Sequence, residues 1–308
     1  MKPHDIDCSI LFTFLVVHLV ALVAVFQTRF DIEGAALTVG MVFFRWLGFS
    51  CAAHRYFSHR VCRTSRWFQF ILGIWGTLTM ARSPIKFASG HRHHHLHSDR
   101  QGDLHSVHHQ GVMGAYLGWV VSKRYSETRL GHVQDLLRYP ELVWLNRLYF
   151  LPNLALLYVL YVVGGQVALT YGGLVSIIIM WHTAFTVTVL FHCVGKPAYE
   201  TGDSSKNSFI LGVLMCGEGW HNNHHANARS ARLGHEWWQI DIGYTVFFLL
   251  EKMGLVWNLN TAVGPAHAGI GRVEVTSQPT PWQEWRSSLT ERERRNAISS
   301  VRPKTAAY

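Results

Sequence analysis

Apolar residues run almost unbroken in four places along the chain, at 9–26, 34–51, 148–165 and 167–192. Arg45 is the single formal charge in them. A helix crossing the hydrocarbon core needs about 20 mostly apolar residues. The pattern therefore predicts an all-α integral membrane fold with four transmembrane helices. No small-residue cleavage site follows the first run, so it reads as a span and not as a signal peptide. The runs 67–80 and 242–250 are too short to span and read as interfacial. From 265 to 308 the apolar pattern is lost and Pro, Ser, Thr, Arg and Glu dominate. That stretch is expected to be a polar, mobile tail with at most a short helix after Ser288, leaving 1–264 as the folded domain.

Charge orients the spans. The chain has 28 Lys and Arg against 19 Asp and Glu, a net charge of +9. Segment 52–147 holds 13 of the basic residues and 193–308 holds 12, whereas 27–33 holds one and 164–166 none. Positive residues collect on the cytoplasmic side, so both termini and both large segments are expected there. The pattern fits a bacterial inner membrane and the endoplasmic reticulum equally. Topology accounts for the basic balance, and no nucleic-acid partner is needed. The five cysteines are odd in number and form no CxxC pair, which points to free thiols.

Histidine is the outlier, with 20 of 308 residues. Nine of these fall in a pattern: His54 and His59 in HRYFSH, His91, His94 and His95 in HRHHH, His192 at the end of the fourth run, and His221, His224 and His225 in HNNHH. Residues i, i+3 and i+4 share a helix face, so each HxxHH group converges while His93 points away. His54 and His59 are about 140° apart on an α-helix. Either the helix breaks between them or they approach different ions. The second and fourth runs carry His54 and His192 to the same rim. Neutral imidazole suits iron, zinc, copper and nickel. Nine imidazoles exceed what one ion takes; two ions would each gain four or five and keep room for water or O2.

These boxes, with SDRQGDLH (98–105), GEGWHNNHH (217–225) and WWQIDIGYT (237–245), resemble the membrane fatty acyl desaturases of the stearoyl-CoA and acyl-lipid delta-9 type. The resemblance covers about residues 35–258. It implies a cytoplasmic helical cap carrying a dimetal site in which His54, His59, His91, His94, His95, His192, His221, His224 and His225 bind two irons. It implies O2 as co-substrate and a long-chain acyl-CoA or acyl lipid as substrate, with a cis double bond formed, expected at delta-9. No His-Pro-Gly-Gly haem motif is present, so electrons are expected from an external donor of the cytochrome b5 or ferredoxin type with its reductase. Asp99, Asp103, His105 and Glu218 are candidates to orient the ligand rings. Thr188, one turn before His192, stands where stearoyl-CoA relatives carry an Asn that holds a metal-bound water. Leu104 replaces their Pro, and Val112 and Met113 replace aromatics. No catalytic residue is expected beyond the metal centre.

The boxes leave other readings open. The same boxes serve a hydroxylase or alkane monooxygenase, because all begin with the same hydrogen abstraction. A zinc transporter needs ionisable ligands inside its spans, where only His18, Arg45 and His182 are found. A metal or lipid sensor without turnover is a third class. His18 and His182 read as packed or hydrogen-bonded residues. His132 and His235 read as surface, and Cys62, Cys193 and Cys216 as small buried residues. Trp119, Trp181 and Trp220 are candidates to line an acyl tunnel. Arg55, Arg60, Arg63 and Arg66 read as positive-inside residues, with head-group binding as the alternative.

Overall fold

The computed structural model describes residues 5–265, so the expected tail and its Ser288 cap lie outside the described residues. The chain is mostly helical. A two-stranded antiparallel sheet pairs Arg63–Thr64 with Val256–Trp257. We label α1 Cys8–Gln27, α2 Ile32–Leu47, α3 Arg66–Leu78, α4 Pro84–His97, α5 Leu151–Val167, α6 Ser176–Cys193, α7 His221–Ala226 and α8 Ile242–Lys252. Shorter helices join α4 to α5 and α6 to α7. Helix starts follow capping chemistry. Asp7, Asp31, Ser65, Ser83 and Asp241 each accept a backbone N–H from the first turn of α1, α2, α3, α4 and α8. Each such cap stabilises by about 1 kcal/mol.

Among the described residues three stretches are long and apolar enough to cross a membrane: Cys8–Gln27, Ile32–Ser58 and Leu151–Cys193. The third is 43 residues long, about twice what one crossing requires. It breaks at Gly165, whose φ of 60° and ψ of −153° belong to a region open essentially to glycine alone. Beyond the break the chain packs back on itself. A Cβ added to Gly173 would sit 2.5 Å from Leu157 Cδ2, so glycine permits the close approach. The separately predicted runs 148–165 and 167–192 meet at this break. Phe12, Leu19, Val39, Val162 and Val163 are exposed on the outer faces of these helices, a surface suited to lipid and not to water.

Two features of this scaffold place the site. Arg45 is buried, with partners from three directions: Ser176 Oγ at 3.1 Å, Asn153 Oδ1 at 3.4 Å and the Leu78 carbonyl. It ties α2 to α3, α5 and α6, which explains a charge inside an apolar run. The second feature is the end of α2, which does not stop at Leu47 but continues as a π-helix over Gly48–Ser58. Winding closed by i→i+5 bonds brings residues five apart onto one face. This corrects the expectation from α-helical geometry, because His54 and His59 now stand together, with ring centroids 4.9 Å apart.

Candidate metal centre

The nine histidines gather into two groups. His54, His59, His91, His95 and His224 form one; His94, His192, His221 and His225 form the other. Within each group one ring nitrogen per residue lies within 4.8 Å of all the rest. Both HxxHH boxes divide the same way. Helix α4 gives its i, i+4 pair, His91 and His95, to the first group and the i+3 residue, His94, to the second. Helix α7 does the reverse, giving His221 and His225 to the second group and His224 to the first. The reason is angular: i+3 and i+4 lie on opposite sides of i, about 100° apart. The sequence expectation that each box converges as a unit is corrected to this division. His93 turns away, its Nε2 against the Gly102 carbonyl at 3.1 Å.

In the first group Nε2 atoms face one another. His54 meets His224 at 3.0 Å, His59 meets His91 at 2.8 Å, His91 meets His95 at 3.0 Å, and His95 meets His224 at 2.9 Å. A neutral imidazole carries one N–H and one lone pair. Five inward nitrogens cannot all satisfy one another by hydrogen bonds, but their lone pairs satisfy a cation. Burial first, and then the neighbouring imidazoles, hold His59, His91, His95 and His224 far below the ordinary histidine pKa. The rings stay neutral and remain donors.

In the second group carboxylates orient the rings. His94 Nδ1 meets Asp103 Oδ1 at 2.9 Å, His192 Nδ1 meets Asp99 Oδ2 at 2.9 Å, and His225 Nδ1 meets Asp203 Oδ2 at 2.5 Å. The Nε2 atoms of these three rings are buried without a hydrogen-bond partner among the described residues. A carboxylate at Nδ1 fixes the proton there and leaves the Nε2 lone pair inward, the usual arrangement behind a metal-binding histidine. In the first group Glu218 Oε2 lies 2.5 Å from His54 Nδ1, an ion-pair contact. The donor set is all nitrogen and convergent, and therefore fits iron or another ion that takes imidazole.

The supporting shell is itself braced. Burial raises the carboxyls of Asp99, Asp103 and Asp203, yet hydrogen bonds outweigh it and hold all three well below the usual range. For Asp99 the donors are His192 and Ser204; for Asp103, His94; for Asp203, His225, Ser205 and Thr201. Asp203 was not singled out from the sequence, because it lies between the boxes in TGDSSKN, where no spacing marks it. Arg55 is corrected more fully. It is a buried cation 3.3 Å from Glu218 and 2.8 Å from Asp241, not a surface residue. The asparagines of HNNHH set the short helix α7. Asn222 Oδ1 accepts the Ala198 and Tyr199 N–H groups at 2.7 Å, and Asn223 Nδ2 donates to the Leu233 carbonyl at 2.8 Å.

The remaining candidates fall as follows. His105 stacks near His94 at 4.3 Å between centroids, beside Asp103. Burial pushes its pKa down to about 3. The Thr188 hydroxyl lies between the Ala115 and Phe185 carbonyls, each at 2.8 Å. His18 and His182 bond each other at 2.9 Å, and Tyr116 bonds His182. His132 and His235 are half-buried, and Cys193 is exposed while Cys62 and Cys216 are buried. A cavity of about 430 Å3 starts at His54, His91, His94, His192 and His221 and runs between α1, α5 and α6. Its lining is mostly apolar and includes Trp119 and Trp181, but not Trp220. Trp220 is instead packed over Gly212, with its N–H on the Ile240 carbonyl at 2.8 Å.

The comparison with known proteins agrees with this geometry. Residues 33–246 match the family described as fatty acid desaturase. The chain belongs to the fatty acid desaturase family. Among its relatives is the sn-1 stearoyl-lipid 9-desaturase of Anabaena variabilis, 33% identical over 266 residues, which are 85% of this chain and 96% of that protein. Delta-9 acyl-lipid desaturase 1 of Arabidopsis thaliana is 34% identical over 257 residues, 82% of this chain and 83% of that protein. The chloroplastic palmitoyl-monogalactosyldiacylglycerol delta-7 desaturase of the same plant is 34% identical over 267 residues, 85% and 70% of the two chains. This desaturase is thus a fatty acyl oxidoreductase of the membrane, with histidine groups able to hold metal.

Proposed function

We propose that this desaturase forms a cis double bond at delta-9 in the acyl chain of a membrane lipid, using two irons held by the nine histidines and electrons from an external carrier protein. The observation that carries the proposal is the pair of histidine groups opening directly onto the apolar cavity. Bound there, the iron pair supplies the O2-derived oxidant needed to remove hydrogen from unactivated methylenes. The chain's own residues do the rest. Asp99, Asp103, Asp203 and Glu218 aim the rings. Phe49, Phe87 and Phe191 narrow the cavity beside the histidines and exclude water, while Leu154, Leu157 and Leu174 receive the apolar chain. The names of the acyl-lipid relatives favour a lipid over a soluble thioester as acyl carrier and delta-9 as the position. In this reading the chain crosses four times, turning at Gly165, with both termini and the histidine cap cytoplasmic; the sorting of basic residues in the sequence supports it.

The test is expression in a desaturase-deficient host, with double-bond location by gas chromatography–mass spectrometry and metal analysis of the purified protein. New delta-9 monoenes in the lipid fraction, two irons per chain, and loss of product in both His94→Ala and His224→Ala are expected. These two changes strike one histidine group each. Full activity in either variant would overturn the dimetal reading, and two bound zinc ions in the active enzyme would overturn the choice of iron. A double bond elsewhere would overturn the position alone.

A further inference from the structure

We infer that the basic recess around Arg60, Arg63 and Arg229 is the docking site of an acidic one-electron carrier protein. The inference rests on the dimetal desaturase reading above. In that reaction O2, two electrons and two protons are consumed while two C–H bonds are replaced by one C=C bond and two waters form. A carrier oxidised by one electron at a time must therefore engage the enzyme twice per turnover.

Two hollows among the described residues divide the tasks. The apolar cavity reaches the histidines along α1, α5 and α6. A second recess of about 480 Å3 is polar and is lined by none of the nine histidines or any cavity residue. Its wall is nevertheless covalently close to both groups. Arg60 directly follows His59 of the first group, and Asn227 is two residues beyond His225 of the second. An electron delivered there reaches either group without disturbing the acyl chain.

Charge and rigidity identify the partner. Arg63 and Arg229 are exposed, and among the described residues neither has an ion-pair partner. The Arg60 side chain is 53% exposed and shares Asp135 with Arg92. Arg92 in turn holds the Ser58 carbonyl at 2.8 Å and the Phe57 carbonyl at 2.5 Å, so Asp135 is already engaged. The floor is fixed by backbone bonds: Asn260 N to the Val61 carbonyl at 2.8 Å, and Ala231 N to the Asn260 carbonyl at 2.7 Å. A preformed cationic surface of this kind steers an anionic protein and needs little ordering on contact. No residue of the apolar runs lines the recess. Helix α3 lies against the π-helix with Gly76 beside Ala52 and Ala53, and Gln69 bonds Tyr56 at 2.9 Å.

The experiment uses full-length Arg63→Glu/Arg229→Glu enzyme in detergent with its irons. Turnover is driven by reduced ferredoxin or cytochrome b5, whichever supports the wild type. kcat/KM for the carrier should fall about tenfold or more at low ionic strength, and the wild-type decline with salt should flatten. Iron content, acyl-substrate KM and single-turnover product after dithionite reduction should stay as in the wild type. The milder Arg63→Gln/Arg229→Gln pair should fall between, and it guards against misfolding of the reversal variant. An unchanged carrier KM and salt slope overturns the proposal, as does a defect confined to binding phosphatidylglycerol vesicles. Absence of dithionite-driven product in the wild type would instead remove the dimetal reading itself.

Discussion

Asp203→Asn tests the metal centre at a residue that touches no substrate. Asp203 Oδ1 accepts from Thr201 Oγ1 at 2.7 Å and from Ser205 N and Oγ at 3.0 and 2.6 Å, while Oδ2 faces His225 Nδ1 at 2.5 Å. In the asparagine the three donors keep the amide oxygen on their side. The NH2 group is then turned toward His225. Two donors cannot face each other, so Nδ1 gives up its proton and Nε2 takes it. The ring turns from an inward lone pair to an inward N–H. Loss of an outer carboxylate behind a ligand histidine costs about 10- to 100-fold in metal affinity, or about 1.4–2.8 kcal/mol. Metal retained against graded chelator, measured by mass spectrometry, should fall from two ions toward one, with product lost in parallel. Wild-type retention of both ions in a folded Asp203→Asn protein would refute the reasoning for the second histidine group.

Arg55→Met should destabilise by about 3–5 kcal/mol, since Glu218 and Asp241 are left as buried charges without their cation; thermal unfolding in detergent measures it, and an unchanged midpoint contradicts it. Gly217→Ala should cost about 1–3 kcal/mol, because Gly217 has φ 102° and an added Cβ would lie 2.2 Å from the Asp241 carboxylate that caps α8; the same assay applies. The metal-free protein should lose stability on acidification. Burial holds His59, His91, His95, His221 and His224 far below the ordinary imidazole pKa and His225 at about 4, so the unfolded chain takes up protons first. The stability is complete above the unfolded value of about 6.5 and falls below it, by about 1.4 kcal/mol per group one pH unit lower. A melting temperature equal at pH 7.5 and 5.5 would refute this.

Much of the site was legible because metal ligation imposes local spacing. The i, i+3, i+4 pattern of His91, His94 and His95 and of His221, His224 and His225 is a helix-face pattern, and residues on one face meet whatever surrounds them. Asp99, Asp103 and Glu218 were legible by proximity to the boxes. Asp203 was not, because its partner His225 is reached through a loop that no periodicity describes. Arg55 was misread for a related reason. An arginine at the end of an apolar run looks like a topology signal, and only the arrival of Glu218 and Asp241 from residues far along the chain makes it a buried cation.

The sequence by itself determined the helical class, the apolar runs and the identity of the nine histidines, since each depends on residue type and short-range spacing. The tertiary structure decided how those histidines are shared. A box of three gives two rings to one group and one to the other because helix geometry separates i+3 from i+4. Which group receives which depends on how α4 and α7 are turned toward each other, with His95 meeting His224 and His94 beside His225. It also decided that His54 and His59 act together. The π-winding that aligns them lies against α3, where Gly76 stands beside Ala52 and Ala53, and no local pattern of six residues encodes it.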